Sequence, residues 1–104
     1  MLYIIYQEDG PDGAALRAQH RDTHFAYLDK HKDILVLGGA MIAEDGATRT
    51  GSVLILNVPN LAEAEAFSAE EPLRKSGVFS SVKITRMRRG QWNPGVAPKT
   101  AEGN

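Results

Sequence analysis

Two aliphatic runs, Ile34-Leu35-Val36-Leu37 continuing through Gly38-Gly39-Ala40-Met41-Ile42, and Gly51-Ser52-Val53-Leu54-Ile55-Leu56-Asn57-Val58, stand on either side of Glu44-Asp45-Gly46-Ala47. The first is too short and too glycine-interrupted for a helix, the second has the β-branched and aliphatic composition of a core strand, and Asp-Gly is a tight-turn signal. Together they read as strands two and three of an antiparallel hairpin. Such a hairpin is apolar on both faces, so the rest of the chain must help to cover it.

The flanking segments supply that cover. Leu2 to Gln7 is short, apolar and rich in Tyr and Ile, and it ends at the turn cluster Glu8-Asp9-Gly10-Pro11-Asp12-Gly13, which makes it a buried first strand. From Ala14 to about Lys32 there is no Gly or Pro. Ala14, Ala18, Phe25 and Leu28, with Arg21 among them, fall on one side at 3.6 residues per turn, so the spacing predicts one helix. After Pro59, Asn60 is an N-cap with Glu63 three residues later, and Leu61, Ala64 and Phe67 form the stripe of a short second helix. Pro72 stops or interrupts it and Gly77 offers a C-terminal turn. Val78, Val82 and Ile84 then share one face of a fourth strand ending near Met87.

The order strand, helix, strand, strand, helix, strand is a split βαβ unit. It predicts an α+β, ferredoxin-like βαββαβ fold with a four-stranded antiparallel sheet and both helices on one face. Leu35, Leu37, Val53, Ile55, Val82 and Ile84 exceed what two short helices can cover, so a second copy or a ligand is expected against the open face, a homodimer being the economical answer. A single domain is expected over residues 1–89. Residues 90–104, punctuated by Pro and Gly without period, read as an irregular or disordered tail.

Composition narrows the chemistry. There is no cysteine, hence no disulfide, thiolate nucleophile or Cys-bound zinc. No segment approaches the ~20 apolar residues that span a bilayer, and the first residues lack a secretory pattern, so a cytoplasmic protein without membrane contact is expected. The formal net charge of -1 conceals a division. Residues up to Thr85 hold eight Lys and Arg against twelve Asp and Glu, whereas Arg86 to Asn104 hold four against one. Arg86-Met87-Arg88-Arg89-Gly90-Gln91-Trp92 mixes cations with an aromatic, but so few charges make a thin nucleic-acid footprint, and a protected edge strand explains them as well. Nucleic acid is not an expected partner.

His20, His24 and His31 share the first predicted helix without the acid of a His-Glu-x-x-His metal motif, and Gly38-Gly39 lacks the spacing of a phosphate loop; no metal and no cofactor are expected. Arg17, Arg21, His24 and Leu28 follow one another at intervals of four, three and four along the border of the apolar stripe. An imidazole at the edge of a cleft serves as a general base, and neighbouring guanidinium groups hold an anionic oxygen. The same spacing also describes an ordinary amphipathic surface helix. Glu70-Glu71-Pro72 places a carboxylate before a helix-breaking proline, where it could orient an imidazole or simply face solvent.

With these residues in view, the chain from Met1 to about Arg89 resembles the YciI-like family. The opening Leu2-Tyr3-Ile4-Ile5-Tyr6 is similar to that family's first strand, Arg21-Asp22-Thr23-His24 matches its Arg-x-x-His, and Gly39 with Met41 matches the end of its second strand. Thr50-Gly51-Ser52 and Gly77-Val78-Phe79 match the third-strand start and the approach to the last strand. The resemblance implies a dimeric α/β barrel similar to the muconolactone isomerase group, with a His-acid pair in a cleft. His24 takes the histidine position. Glu71, preceding Pro72, stands where the family usually has an Asp, one methylene shorter.

By the same resemblance Arg21, Tyr6, Gly39, Met41 and Ser52 are expected to bind ligand. Relatives include a dehydrochlorinase acting on chlorinated hydroxyquinols. The expected activity is that of a cofactor-independent lyase or isomerase moving a proton on a small cyclic or aromatic acid: His24 as base, Glu71 fixing its tautomer, Arg21 stabilising negative charge. The alternative is a non-catalytic module that binds a small anionic ligand in the same cleft.

Overall fold

A computed structural model describes residues 1–104. The elements run β1 (Leu2–Asp9), α1 (Gly13–Gln19), α2 (Arg21–Lys30), β2 (Leu35–Ile42), β3 (Arg49–Asn57), α3 (Leu61–Glu70), α4 (Pro72–Lys75) and β4 (Phe79–Met87), followed by a 3-10 turn at Pro94–Val96. The strands form one antiparallel sheet in the order β2-β3-β1-β4, an α+β ferredoxin-like arrangement. No helix is long and apolar enough to cross a membrane.

Alternation along β1 sets the two faces. Tyr3, Ile5 and Gln7 point to the helices and are buried, while Ile4, Tyr6 and Glu8 point the other way. Register carries this across the sheet: Ile5 lies opposite Leu54 on β3 and Ile84 on β4. The core is Tyr3, Ile5, Leu54, Leu56 and Val58 from the sheet side, with Ala64 and Phe67 from α3 packed against them. Complete burial of a residue such as Leu56 or Ile5 contributes on the order of 2 kcal/mol.

Local signals act as the sequence predicts at three places. The Asn60 side chain accepts from the Glu63 amide at 2.9 Å and caps α3. At the hairpin, Asp45 Oδ1 accepts from the amides of Ala47 and Thr48, both at 2.9 Å, its Oδ2 accepts from the Thr48 hydroxyl, and Gly46 turns the chain at φ 75°. Those donors, the Thr48 hydroxyl foremost, lower the Asp45 carboxyl to about 2. Gly77, at φ 85°, turns the chain into β4.

Two expectations are corrected. The first helix is two helices, because His20, at φ -108° and ψ 15°, interrupts the helical path and serves as both C-cap of α1 and N-cap of α2. The two pieces are tied to different places: Arg17 of α1 to Asp9 of β1, and His24 of α2 to Glu71 ahead of α4. Second, the stripe meets the core only at its end: Ala14, Ala18 and Phe25 are exposed, Phe25 at 52%, whereas Leu28, with Tyr27 beside it, is part-buried and packs against the core. The six apolar residues that two short helices cannot all cover divide between the faces: Leu35, Val82 and Ile84 lie on the helix side and pack against the core, and Leu37, Val53 and Ile55 lie on the other. A bulge between Leu35 and Leu37 sends these two to opposite faces, and the β1–β4 register places Val82 beside Gln7 and Ile84 beside Ile5.

The open face of the sheet remains apolar. Leu2 pairs with Met87, Ile4 with Ile55, Tyr6 with Val53, and Leu37 with Ile55, Leu37 being 65% exposed. Beyond Met87 the chain is largely exposed, and Arg89 lies over the Trp92 ring at 5.5 Å.

Candidate active site

Pro72 starts the local architecture. A residue preceding proline is barred from helical geometry, and Glu71 is accordingly extended at φ -66° and ψ 126° between α3 and α4. From there its side chain curls over the first turn of α4, where Oε1 accepts from the Leu73 amide and Oε2 from the Arg74 amide, each at 3.2 Å. Glu71 is 1% exposed. A buried carboxylate is tolerated only when its lone pairs are met, and a third donor completes the set: His24 Nδ1 lies 2.5 Å from Oε1.

That contact decides the state of the imidazole. A carboxylate can only accept, so the Nδ1 position carries the proton, and in the neutral imidazole the lone pair is then on Nε2. The longer glutamate reaches the imidazole and caps its own helix at once. A neighbouring tie fixes the helix that carries His24: the Tyr27 hydroxyl donates to the Phe67 carbonyl at 2.7 Å. Burial, then the charges of Glu71 and Glu70, push the Tyr27 phenol above its ordinary 10.0.

His24 borders a cavity of about 740 Å³ between the α1–α2 limb and the β2–β3 half of the sheet. Phe25, Leu28, Leu54 and Leu73 give it apolar walls; Arg21, Arg49, Thr48 and Ser52 give it polar ones. Asp9 and Arg17 also reach it but neutralise each other: Arg17 Nε and Nη2 donate to the two Asp9 oxygens at 2.8 Å, and Nη2 also donates to the Gly51 carbonyl at 3.2 Å. Arg17 is therefore not a free anion site, contrary to the reading of its spacing. Arg21 and Arg49 make no ion pair with the chain; Arg21 stacks on Phe25, 5.2 Å from the ring centroid.

A second, more open recess of about 520 Å³ lies at Tyr27, His31 and Phe67. Its phenol is already hydrogen-bonded, and neither member of the His-carboxylate pair lines it. The larger cavity therefore holds the groups suited to proton transfer.

Of the residues singled out in the sequence, the structure brings His24 and Glu71 into contact and sets Arg21, Gly39 and Ser52 around the same cavity. Ser52 Oγ accepts from Gln7 Nε2 at 2.9 Å, which leaves the hydroxyl proton free to donate. Gly39 faces open space, since a Cβ there would touch nothing within 4 Å. Tyr6 and Met41 do not line the cavity. Tyr6 stands on the open face of the sheet, and the Met41 methyl lies over Gly51, 2.4 Å from where a Cβ would be.

Sequence reasoning passed over Arg49, Thr48 and Gly38. Arg49 and Thr48 follow the hairpin turn with no motif to mark them. Gly38 is the tighter glycine of its pair: a Cβ there would meet Leu54 Cδ2 at 2.7 Å and push that side chain in the cavity wall.

The geometry agrees with what the chain is similar to. It is 31% identical over 96 residues to the protein YciI of Escherichia coli O6:H1, covering 86% of this chain and 98% of that one. An uncharacterized protein of Haemophilus influenzae is 27% identical over 96 residues, with the same coverage. Among solved structures, 5-chloro-2-hydroxyhydroquinone dehydrochlorinase from Burkholderia phenoliruptrix AC1100, in complex with 2,5-dihydroxybenzoquinone, superposes with a TM-score of 0.80 at 30% identity over 86% of this chain and 96% of that one. The sequence profile of the YCII-related domain matches residues 1–88, from the start of the chain past the last strand. On fold, sequence and profile together, the chain belongs to the YciI-like, YCII-related family.

Proposed function

We propose that this protein is a cofactor-independent lyase or isomerase that transfers a proton on a small cyclic or aromatic acid bound beside His24. The observation that carries this reading is the 2.5 Å contact between His24 Nδ1 and Glu71 Oε1 at the edge of the cavity. In the proposed reaction His24 Nε2 takes a proton from a carbon or oxygen next to a carbonyl or on a phenol. The charge left on the substrate oxygen is met by Arg21, and Glu71 stabilises the imidazolium that has formed. Return of the proton to another atom of the substrate gives isomerisation. Departure of a leaving group with its electron pair, and release of the proton to water, gives elimination.

The similarity to a dehydrochlorinase supports a lyase-like role on a small molecule. In the proposed arrangement Ser52 donates to the ligand and Gly39 leaves room for it. The chain works as a cytoplasmic homodimer, the second copy covering the apolar sheet face around Leu37, Tyr6 and Ile55. Its solution mass is then twice 11.3 kDa by sedimentation.

A second reading, a non-catalytic module for a small anionic ligand, is favoured by the structural service of Glu71, which ties α2 to α4 whether or not a reaction occurs. One experiment separates the two. Chloride release from 5-chloro-2-hydroxyhydroquinone, and proton exchange into a panel of small cyclic acids, are followed for the protein and for His24→Gln. Turnover lost in a variant that keeps its thermal midpoint supports the enzyme. Binding without turnover supports the module.

A further inference from the structure

Four charged side chains reach the cavity besides His24: Asp9, Arg17, Arg21 and Arg49. Two of them cancel in the Asp9–Arg17 pair. The other two are cations without partners, placed on different elements, Arg21 on α2 and Arg49 at the start of β3. They stand in a body whose residues up to Thr85 carry four more acids than bases. A pair of unneutralised guanidinium groups beside apolar walls, in an otherwise acidic domain, is a local well for negative charge.

Size points the same way. A cavity of about 740 Å³ is in the range that holds drug-sized ligands, so it has room for a ring that bears a second anionic group. A ligand anchored only at His24 and Arg21 would leave the hairpin end, with Thr48 and Arg49, unused.

We infer that the ligand of this cavity carries two anionic groups, one held by Arg21 near His24 and the other by Arg49 at the hairpin end. This deepens the proposed function, resting on its placement of the ligand but not on its proton transfer. Arg49 thereby sets specificity: it selects dianions over monoanions, through charge-assisted hydrogen bonds that a guanidinium makes in pairs with a carboxylate.

The test is calorimetric binding of benzoate, benzene-1,3-dicarboxylate and benzene-1,4-dicarboxylate to the full chain and to Arg49→Gln, Arg49→Lys and His24→Gln. At least one dicarboxylate should bind the unaltered protein about tenfold more tightly than benzoate, with a steeper loss on adding salt. Arg49→Gln should remove that preference while leaving benzoate within about twofold, Arg49→Lys should restore part of it, and His24→Gln should keep it even where turnover is gone. Arg49 is exposed, so its variants keep the fold, checked by an unchanged thermal midpoint. The inference is overturned if neither dicarboxylate is preferred, if none of the three compounds binds, or if Arg49→Gln leaves the preference intact. Loss of turnover with the preference retained would instead fault the proton-transfer reading alone.

Discussion

Arg17 grips Asp9 with two parallel hydrogen bonds of 2.8 Å, and the side chains are only 14% and 9% exposed. The pair joins α1 to the end of β1, and Gly13 allows it, since a Cβ there would come within 2.9 Å of Asp9 Oδ2. The same pair keeps a third positive charge out of the cavity.

Removing one partner should therefore have two effects at once. Asp9→Asn should cost about 2–3 kcal/mol in urea unfolding, because it leaves a largely buried guanidinium with a weakened acceptor. It should also tighten the binding of small aromatic carboxylates, since Arg17 is released toward the cavity. Arg17→Met should lower stability by a similar amount with no gain in anion binding.

Glu71 does two jobs that substitution can separate. Glu71→Ala removes the cap of α4 and the acceptor of His24, and should cost about 2–4 kcal/mol. Glu71→Gln retains one acceptor oxygen and should cost about 1 kcal/mol. The same change no longer enforces an Nδ1-protonated imidazole, so the turnover proposed for this site should fall about 10²–10⁴-fold. Nitrogen-15 spectra of His24 should show the Nδ1–H tautomer in the unaltered protein and a mixture in Glu71→Gln.

Asp45 makes the hairpin turn sensitive to acid. Its carboxyl is lowered to about 2 by the Thr48 hydroxyl and the amides of Thr48 and Ala47. A lowered folded-state value means that the carboxylate contributes stability in full above its unfolded value, about 4. That contribution diminishes as pH falls and is lost as pH passes through about 2. A carbon-13 titration should find the Asp45 midpoint near 2, and Asp45→Ala should abolish the acid-dependent change in the Gly46 and Thr48 amide signals.

Leu56 and Leu37 test the two sides of the sheet. Leu56→Ala empties a fully buried site and should cost about 2–5 kcal/mol by denaturant unfolding. Leu37→Glu, on the open face, should leave the monomer folded and shift the sedimentation equilibrium toward single chains. Association unchanged by Leu37→Glu would remove this face from the proposed dimer interface.

What could be read from the chain was local. The apolar strand at Leu2 to Gln7, the turn at Asp45-Gly46 and the cap at Asn60 each act within a few residues, and each is found where the sequence places it. Sidedness was not local. Leu35 turns inward because of a bulge beside it, and Val82 and Ile84 because of their register against β1, and neither is encoded in the composition of those strands. The His24–Glu71 contact joins positions 47 residues apart; the residues alone left it open, and the family resemblance named the pair. Arg49 had no such help, since a lone arginine after a turn reads as surface until the fold sets it beside a cavity.

The shallow seating of α2 has a consequence for motion. With no fully buried residue, that helix is held by the part-buried Tyr27 and Leu28 against the core and by two side-chain ties, His24 to Glu71 and Tyr27 to the Phe67 carbonyl. Its opening free energy should thus lie well below that of β1 and β3, and its amides should exchange with deuterium first among the regular elements. A ligand that bridges Arg21 on this limb to the β3 wall would slow that exchange in proportion to its occupancy. The wall bearing the imidazole is in this sense a hinged one, and its breathing rate bounds how fast anything enters or leaves.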